Sequence, residues 1–398
     1  MLMSEATEIY LLGGARTPFG TYGGSLKDVN ATQLGVIAAK AAIERAGVPA
    51  LALDLAVVGN VIATAPDAAY TARHIALEAG LGQATPSLTV NRLCGSGLQA
   101  VISAAQAMAL GDGKSALAGG TENMSQAPYL IRDARWGIKN GTPAMTDSLL
   151  EVLTDLGCGL GMGMTAENLA TQYHITRESQ DTYAALSHQR AQKARAEGRL
   201  DREIVKVPVP TKRGTIDVDQ DEHIRPETSE ESLARLKPSF KSEAGTVTAG
   251  NSSGINDGAA MVVLATGDFV ATHGVKPLAR IVSYGVAGVD PTIMGIGPVP
   301  ASKIALERAG LDIEDVGLVE INEAFASQYL AVEQDLGLLR DRTNVNGGAI
   351  ALGHPVGASG GRLLLTLALE MQLRQIQFGL ASLCIGGGQG IAIIIEAL

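Results

Sequence analysis

The stretch "AIERAGVPALALDLAVVGN" (residues 42–60) reads as a helix that stops at Gly47, a short loop, and a buried strand that ends at Asn60. A second stretch, "ALERAGLDIEDVGLVEIN" (305–322), repeats it: a helix closed by Gly310, a loop, and an apolar strand ending at Asn322. The offset is 305 − 42 = 263 residues, with one residue of slack. Internal repetition is the observation that most constrains architecture, and here it extends further. "TVNRLCGSGLQAVISAAQAMALGDGKSALAGG" (89–120) parallels "NVNGGAIALGHPVGASGGRLLLTLALEMQL" (344–373) and the later "LASLCIGGG" (380–388). Ser96-Gly97 aligns with Ser359-Gly360, again 263 apart. Each half therefore runs helix, strand, glycine turn, helix, strand, glycine turn. Helices alternating with apolar strands predict an α/β sheet covered by helical layers.

Between the repeats lies different material. Residues 122–249 carry most of the polar sequence, including "TRESQDTYAALSHQRAQKARAEG" (176–198). There Thr176 can cap a helix, and Tyr183, Leu186 and Arg190 fall on one face. "KVPVPTKRGTIDVDQDEHIRPETSEE" (206–231) follows, rich in turns and charge. We read 122–249 as a loop domain inserted into the first half, which "AAMVVLAT" (259–266) then returns to complete. "PLARIVSYG" (277–285) opens the second half much as "EIYLLGGART" (8–17) opens the first. The expected division is 1–121 with 250–273, then 122–249, then 274–398.

The chain has 398 residues, long enough for two or three domains. It is 46% hydrophobic and 18% charged, as expected of a soluble globular protein, and its 48 glycines imply close backbone packing and tight turns. A net charge of −10 argues against nucleic acid as a partner, while leaving room for an anionic ligand in one local basic pocket. The opening "MLMSEATEIY" has neither a basic region nor a long apolar region of a secretory leader, and "IIIEAL" at the end is not a peroxisomal tripeptide. No apolar run reaches eighteen residues, so no membrane span is expected. Three cysteines, Cys94, Cys158 and Cys384, are odd in number and far apart. That fits a reducing cytoplasm rather than a disulfide framework, and without a CxxC pair no metal site is expected.

Chemistry concentrates in glycine-rich turns. In "VNRLCGSGLQA" (90–100) Cys94 ends a strand-like run and precedes a helix spaced by Leu98, Val101, Ile102 and Ala105. A thiol at a helix N-terminus is expected to have a lowered pKa. On position alone Cys94 is either a nucleophile or a packing cysteine. "GGAIALGHPVGASGG" (347–361) sets His354, one of six histidines, in the repeat's equivalent of that turn. "CIGGGQG" (384–390) holds Cys384 at a strand end, where backbone amides can approach an oxyanion or simply form a tight turn. "EINEAFA" (320–326) ends a strand with Asn322 and Glu323, which alone could be a helix cap. "VTAGNSSGINDGAA" (247–260) is a polar glycine loop that could line a ligand groove.

Together and in this order, "NRLCGSG", "GMGMTAEN", "GTVTAGNSSGINDGAA", "NEAFA", "GGAIALGHPVGASG" and "CIGGGQG" resemble the thiolase family over essentially the whole chain. The resemblance implies an α/β thiolase fold. It would comprise two five-stranded halves in an αβαβα layering, with the loop domain inserted in the first. It implies coenzyme A-dependent cleavage of 3-ketoacyl-CoA, or the reverse condensation of two acetyl-CoA, by ping-pong acyl transfer. Cys94 would accept the acyl group. His354 would take its proton and help stabilise the thioester enolate. Asn322 would position a water in that first oxyanion hole. The amides of Cys94 and Gly386 would form the second hole, and Cys384 would shuttle the α-proton. For coenzyme A the resemblance points to Ser253 near the pantetheine amide and Arg225 near the adenine or phosphates, with Met162 near the acyl pocket. The residue-level alternative for Arg225 is a solvated arginine among acids. No cofactor is implied, coenzyme A being a substrate. The expected assembly is a homotetramer or homodimer, with "MSQAPYLIRDARWGIKNG" (124–141) resembling the arm that joins dimers.

One departure concerns Gly161: some thiolases that condense acetyl-CoA have His there. "NRLCGSG" and "DPTIMGIGPVP" (290–300) look more like the 3-ketoacyl-CoA thiolases of fatty-acid degradation. A decarboxylating ketosynthase would lack Cys384 and carry a different His and Asn order. A papain-like protease needs Cys, His and Asn in that order, which this chain does not have. A non-catalytic acyl-CoA-binding protein would be expected to lose Cys94, His354 or Cys384, and all three are present.

Overall fold

The computed structural model describes residues 7–398. Most of the decapeptide on which the leader argument rests, Met1–Ala6, lies outside them. Nine strands form the main sheet: β1 (Ile9–Arg16), β2 (Leu55–Gly59), β3 (Ser87–Val90), β4 (Ser115–Asn123), β5 (Asn256–Thr266), β6 (Ala279–Gly288), β7 (Leu318–Ile321), β8 (Phe378–Ile385) and β9 (Gln389–Ala397). Their order is β7-β8-β9-β6-β1-β5-β4-β2-β3, with the short strand Gly20–Thr21 added beside β5. Outward from the centre, the first half runs first, fifth, fourth, second and third strand. The second half repeats that permutation from β6. The halves join where β1 meets β6 through only two residue pairs, Tyr10–Arg280 and Leu11–Ala279.

The repeated helices have matching ends. α1 (Ala31–Ala46) starts on an Asn30–Gln33 capping box and stops at Gly47, with φ 68°. α4 (Pro298–Ala309) stops at Gly310, with φ 67°. α1 packs its Leu34, Ala38, Ala42 and Ile43 on the outer face of the first half. α4 covers the second half with Val299, Ala301, Ala305 and Leu306. Between the halves lie α2 (Ser96–Ala109) and α5 (Ser359–Arg374), sharing one core with strands of both. Twelve of the sixteen α5 residues are buried, so "RLLLTLALEM" is apolar on most of its surface and carries one buried polar stripe, Arg362, Thr366 and Glu370, paired with Glu320, Glu203 and Asn346. The layering is therefore helix, sheet, helices, sheet, helix.

The second half departs from five full strands. The counterpart of β3 is reduced to a single parallel bridge, Val319–Thr343. Its neighbour Asn344 adopts φ 48° and turns its side chain onto the open edge of β7. Oδ1 accepts from Ile321 N–H at 2.9 Å and Nδ2 donates to Ile321 O at 2.9 Å. A side-chain amide thus supplies both hydrogen bonds that a strand would have made.

Residues between β4 and β5 add no strand to the main sheet, only a parallel bridge from Ile204 to Arg16 at the end of β1. They include helix Met162–Gln172, α3 (Arg177–Ala196) and a hairpin of Val207–Thr211 with Gly214–Val218. Thr176 does cap α3, its side chain accepting from Ser179 N–H. This material is fastened by buried charge: Arg16 donates to Glu203 at 2.8 Å and to Asp221 at 2.6 and 2.8 Å. Among the described residues no helix is long and apolar enough to cross a membrane.

The first turns of α2 and α5 meet backbone to backbone. A Cβ on Gly97 would lie 2.8 Å from Gly357 O and 2.9 Å from Gly361 N, and one on Gly360 would meet Leu98. We therefore expect Gly360→Ala to lower stability by about 1–3 kcal/mol. Urea unfolding checks this, and an unchanged midpoint would contradict the packing.

Candidate active site

The turn carrying Cys94 is tightly specified. Leu93 has φ 47°. Gly95 N–H donates to Arg92 O at 3.0 Å, and Ser96 N–H to Leu93 O at 2.9 Å. The Ser96 hydroxyl closes the loop, donating to Leu93 O at 2.7 Å while accepting from Arg92 N–H at 2.8 Å. Cys94 is held half-buried at the mouth of α2 against a cluster that contains Ile62, Met124, Leu149 and Val356.

The expected lowering of the Cys94 pKa does not occur. Burial pushes the thiol up to about 11, outweighing the Gly386 and Cys94 backbone N–H groups that favour the thiolate. The helix N-terminus supplies donors, but desolvation is the larger effect in this site.

The second half contributes the equivalent turn. His354 N–H donates to Asn256 Oδ1 at 3.0 Å. Its Nδ1 lies 2.6 Å from Ser359 Oγ, and Ser359 in turn donates to Pro355 O at 3.0 Å. That hydroxyl has one proton, already given to Pro355, so it accepts from Nδ1–H. Nε2 is thereby left as the basic nitrogen, 3.3 Å from Asn322 Nδ2. Burial, reinforced by Arg362, pushes the imidazole down to about 3, so it is neutral at physiological pH. Asn322 is fully buried, and its Oδ1 has no protein partner.

Cys384, the penultimate residue of β8, lies in an apolar pocket with Ala166, Val247, Met294, Ala324 and Phe325. Burial raises its pKa far above the ordinary thiol value, and the neighbouring Cys94 raises it further. Gly386 follows, its α-carbon facing Leu93 and Met162: a Cβ there would lie 3.2 and 3.3 Å from them. Met162 packs against the Cys384 pocket as well. Cys94, Gly386, Cys384 and Met162 thus converge; Val356, two residues after His354, lies in the cluster that holds Cys94, and Ala324, two after Asn322, lies in the Cys384 pocket.

A cavity of about 460 Å³ opens beside this cluster, lined by Val61, Ile62, Leu93, Leu156, Met162 and Gly386 among others. Arg225 lies elsewhere, in a separate cavity of about 280 Å³ with His188, His223, Ser232 and Gly250. Burial and Arg225 push both histidines down to about 4. Ser253 is half-buried, its N–H donating at 2.9 Å to the carbonyl of Ala324, a residue of the Cys384 pocket.

Sequence reasoning missed Asn256, Ser359 and the role of Glu323. Glu323 does not cap the helix that follows it, Ala326–Leu336. Its buried carboxylate accepts from Tyr183, Ser187, Asn344 and Ile350, which joins α3 to the chain leading into His354. The alignment of Ser96 with Ser359 was the available clue: both hydroxyls lock the turn that precedes their helix.

Two outcomes follow from the geometry. Alkylation of Cys94 should rise about tenfold per pH unit between 8 and 10, because only a small thiolate fraction exists below a pKa of about 11. A plateau beginning below pH 7, read by mass spectrometry, would contradict this. Ser359→Ala removes the group that fixes the His354 tautomer and should reduce kcat about 10²-fold. Steady-state kinetics on the folded variant measures it.

Comparison with known proteins accords with this geometry. The family model of the thiolase N-terminal domain matches residues 9–268, and that of the C-terminal domain matches 275–397. The human mitochondrial 3-ketoacyl-CoA thiolase is 50% identical over 390 residues, covering 98% of each chain. An acetyl-CoA acetyltransferase of Syntrophomonas wolfei is 48% identical over 396 residues, covering 98% of this chain and 99% of that one. The crystal structure of the human mitochondrial 3-ketoacyl-CoA thiolase in complex with CoA aligns with a TM-score of 0.95 at 49% identity, covering 99% of this chain and 98% of that one. With both halves matched by family models and full-length relatives at about half identity, this chain belongs to the thiolase family.

Proposed function

We propose that this thiolase acts on 3-ketoacyl-CoA through Cys94 as the acyl-accepting nucleophile. The observation that carries this is the meeting of two thiols with two backbone N–H groups facing one of them, together with a neutral imidazole whose Nε2 is the basic nitrogen and pairs with Asn322. His354 takes the Cys94 proton as sulfur attacks the 3-keto carbon. The amides of Cys94 and Gly386 hold the tetrahedral oxyanion. The bond between C2 and C3 breaks, its electron pair entering the thioester enolate that His354 and Asn322, the latter through a water, stabilise. Cys384 gives its proton to C2, and acetyl-CoA leaves. Coenzyme A then returns a proton to Cys384 and attacks the Cys94 thioester. His354 returns its proton to the Cys94 sulfur as the shortened acyl-CoA departs. The reverse sequence condenses two acetyl-CoA. These groups supply every proton and charge-stabilising role, so the scheme draws on no further cofactor.

The apolar cavity beside Leu93 and Gly386 supports acyl chains longer than that of acetoacetyl-CoA, as does Gly161 in place of a histidine. Arg225 in its cavity, with Ser253 bonded to Ala324 of the Cys384 pocket, supports a coenzyme A path from the segment 122–249 to Cys94. Cys94, Cys158 and Cys384 are all free thiols, which supports a reducing compartment such as the cytoplasm. Exposed Tyr129 and Trp136 in the 124–141 segment support a homotetramer, and light scattering distinguishes it from a homodimer.

Thiolysis of 3-ketoacyl-CoA substrates of rising chain length tests the reading, with two variants assigning roles. Cys94→Ala should carry no acyl group after incubation with acyl-CoA. Cys384→Ala should still be acylated at Cys94 but should not exchange the acetyl methyl protons. A labelled acyl group on the first variant, or wild-type exchange in the second, would overturn the assignments.

A further inference from the structure

Glu122, near the end of β4, has no part in this scheme, yet it is fully buried between the two reacting turns. Four N–H groups converge on its carboxylate. Asn60 Nδ2 and Ile62 N–H donate to Oε1 at 3.2 and 3.1 Å. Val61 N–H and Gly357 N–H donate to Oε2 at 3.0 and 3.1 Å. Three of these donors belong to the turn after β2, in the first half. The fourth belongs to the His354 turn, in the second.

The connection continues to the nucleophile. Asn91 Nδ2 donates to Val61 O at 3.1 Å, and its Oδ1 accepts from Leu93 N–H at 3.0 Å. Leu93 is the left-handed residue directly before Cys94. A hydrogen-bonded path therefore runs from the Cys94 turn through Asn91, Val61 and Glu122 to Gly357 and the His354 turn. The backbones are in contact along it: a Cβ on Gly357 would lie 2.6 Å from Thr121 O and 2.7 Å from Glu122 Oε2. Glu323 braces the same His354 turn, but its partners lie in the second half and α3. Glu122 instead links the first half's 60–62 turn, to which Asn91 ties the Cys94 turn, with the His354 turn. Burial pushes the carboxyl up to about 8, but four N–H groups face it and no acceptor does, so the ionised form, with four acceptor positions and no donor, is the one these partners fit; an amide would turn an NH₂ group toward two N–H groups.

We propose that Glu122 is a positioning residue that holds the Cys94 and His354 turns in register across the junction of the halves. This rests on the roles given above to Cys94 and His354. Displacement of one reacting group by about 1 Å can reduce a rate about 10²-fold without altering remote binding contacts.

The test is the rate of Cys94 acylation by acyl-CoA, followed by mass spectrometry, in Glu122→Gln, Asn91→Ala and the double variant. Glu122→Gln should acylate at least about tenfold more slowly, with the dissociation constant for coenzyme A within about twofold of wild type. Asn91→Ala, a change at an exposed residue, should give a smaller loss. The double variant should be no slower than Glu122→Gln, since both substitutions cut one path. Wild-type acylation in folded Glu122→Gln, or losses that multiply in the double variant, would overturn the proposal. Should Glu122→Gln fail to fold, wild-type acylation in Asn91→Ala overturns it instead. Failure of the wild-type protein to acylate at Cys94 would refute the catalytic reading itself, a distinguishable result.

Discussion

The carbonyl of Gly357 occupies the space in which a side chain on Gly120 would begin. This backbone-to-backbone contact between the His354 turn and β4 is the constraint on which the site depends. Two helices, α2 and α5, start at the same junction, and their first turns approach through Gly97, Gly360 and Gly361. Any Cβ there would separate the nucleophile's turn from the base's turn. Since interiors are close-packed, such a displacement cannot be absorbed locally. Abundant glycine is therefore spent where two halves of one site must touch.

Contact alone leaves polar backbone groups stranded, and buried side chains resolve that. Glu122 and Glu323 each gather four donors, one at each end of the His354 turn. Asn344 closes the edge of β7 in place of a strand. Ser96 and Ser359 lock equivalent turns with one hydroxyl each. Each of these polar groups satisfies the hydrogen bonding of a segment whose position then sets a reacting atom.

The electrostatics follow from the same burial. Desolvation raises both thiols and lowers the imidazole, so the resting site holds neutral Cys94, Cys384 and His354. A neutral thiol beside a neutral imidazole can exchange its proton during attack, and a second neutral thiol can deliver one to carbon. The helix N-terminus at Cys94 then acts through its N–H groups on developing charge, rather than by ionising the thiol beforehand.

Much of this architecture was legible in the chain. Repetition at 263 residues exposed two halves, the glycine stops at Gly47 and Gly310, and the equivalence of Ser96 with Ser359, because helix caps and apolar periodicity are local signals. The motif order identified Cys94, His354 and Cys384 as a group through resemblance. Other features depended on distance in space. The rise of the Cys94 pKa comes from desolvation by residues far away in sequence, which no local motif encodes. The replacement of a fifth strand by Asn344 looked like ordinary loop sequence, because one amide can stand in for a strand only beside a particular edge. Glu122 sits in "GGTEN" without distinction, and its four donors come from residues 60–62 and 357. Sequence by itself determined which segments turn, pair and stop, since those preferences act within a few residues. Tertiary structure decided which turns face each other and what charge each group carries, since both depend on what the folded chain excludes from water.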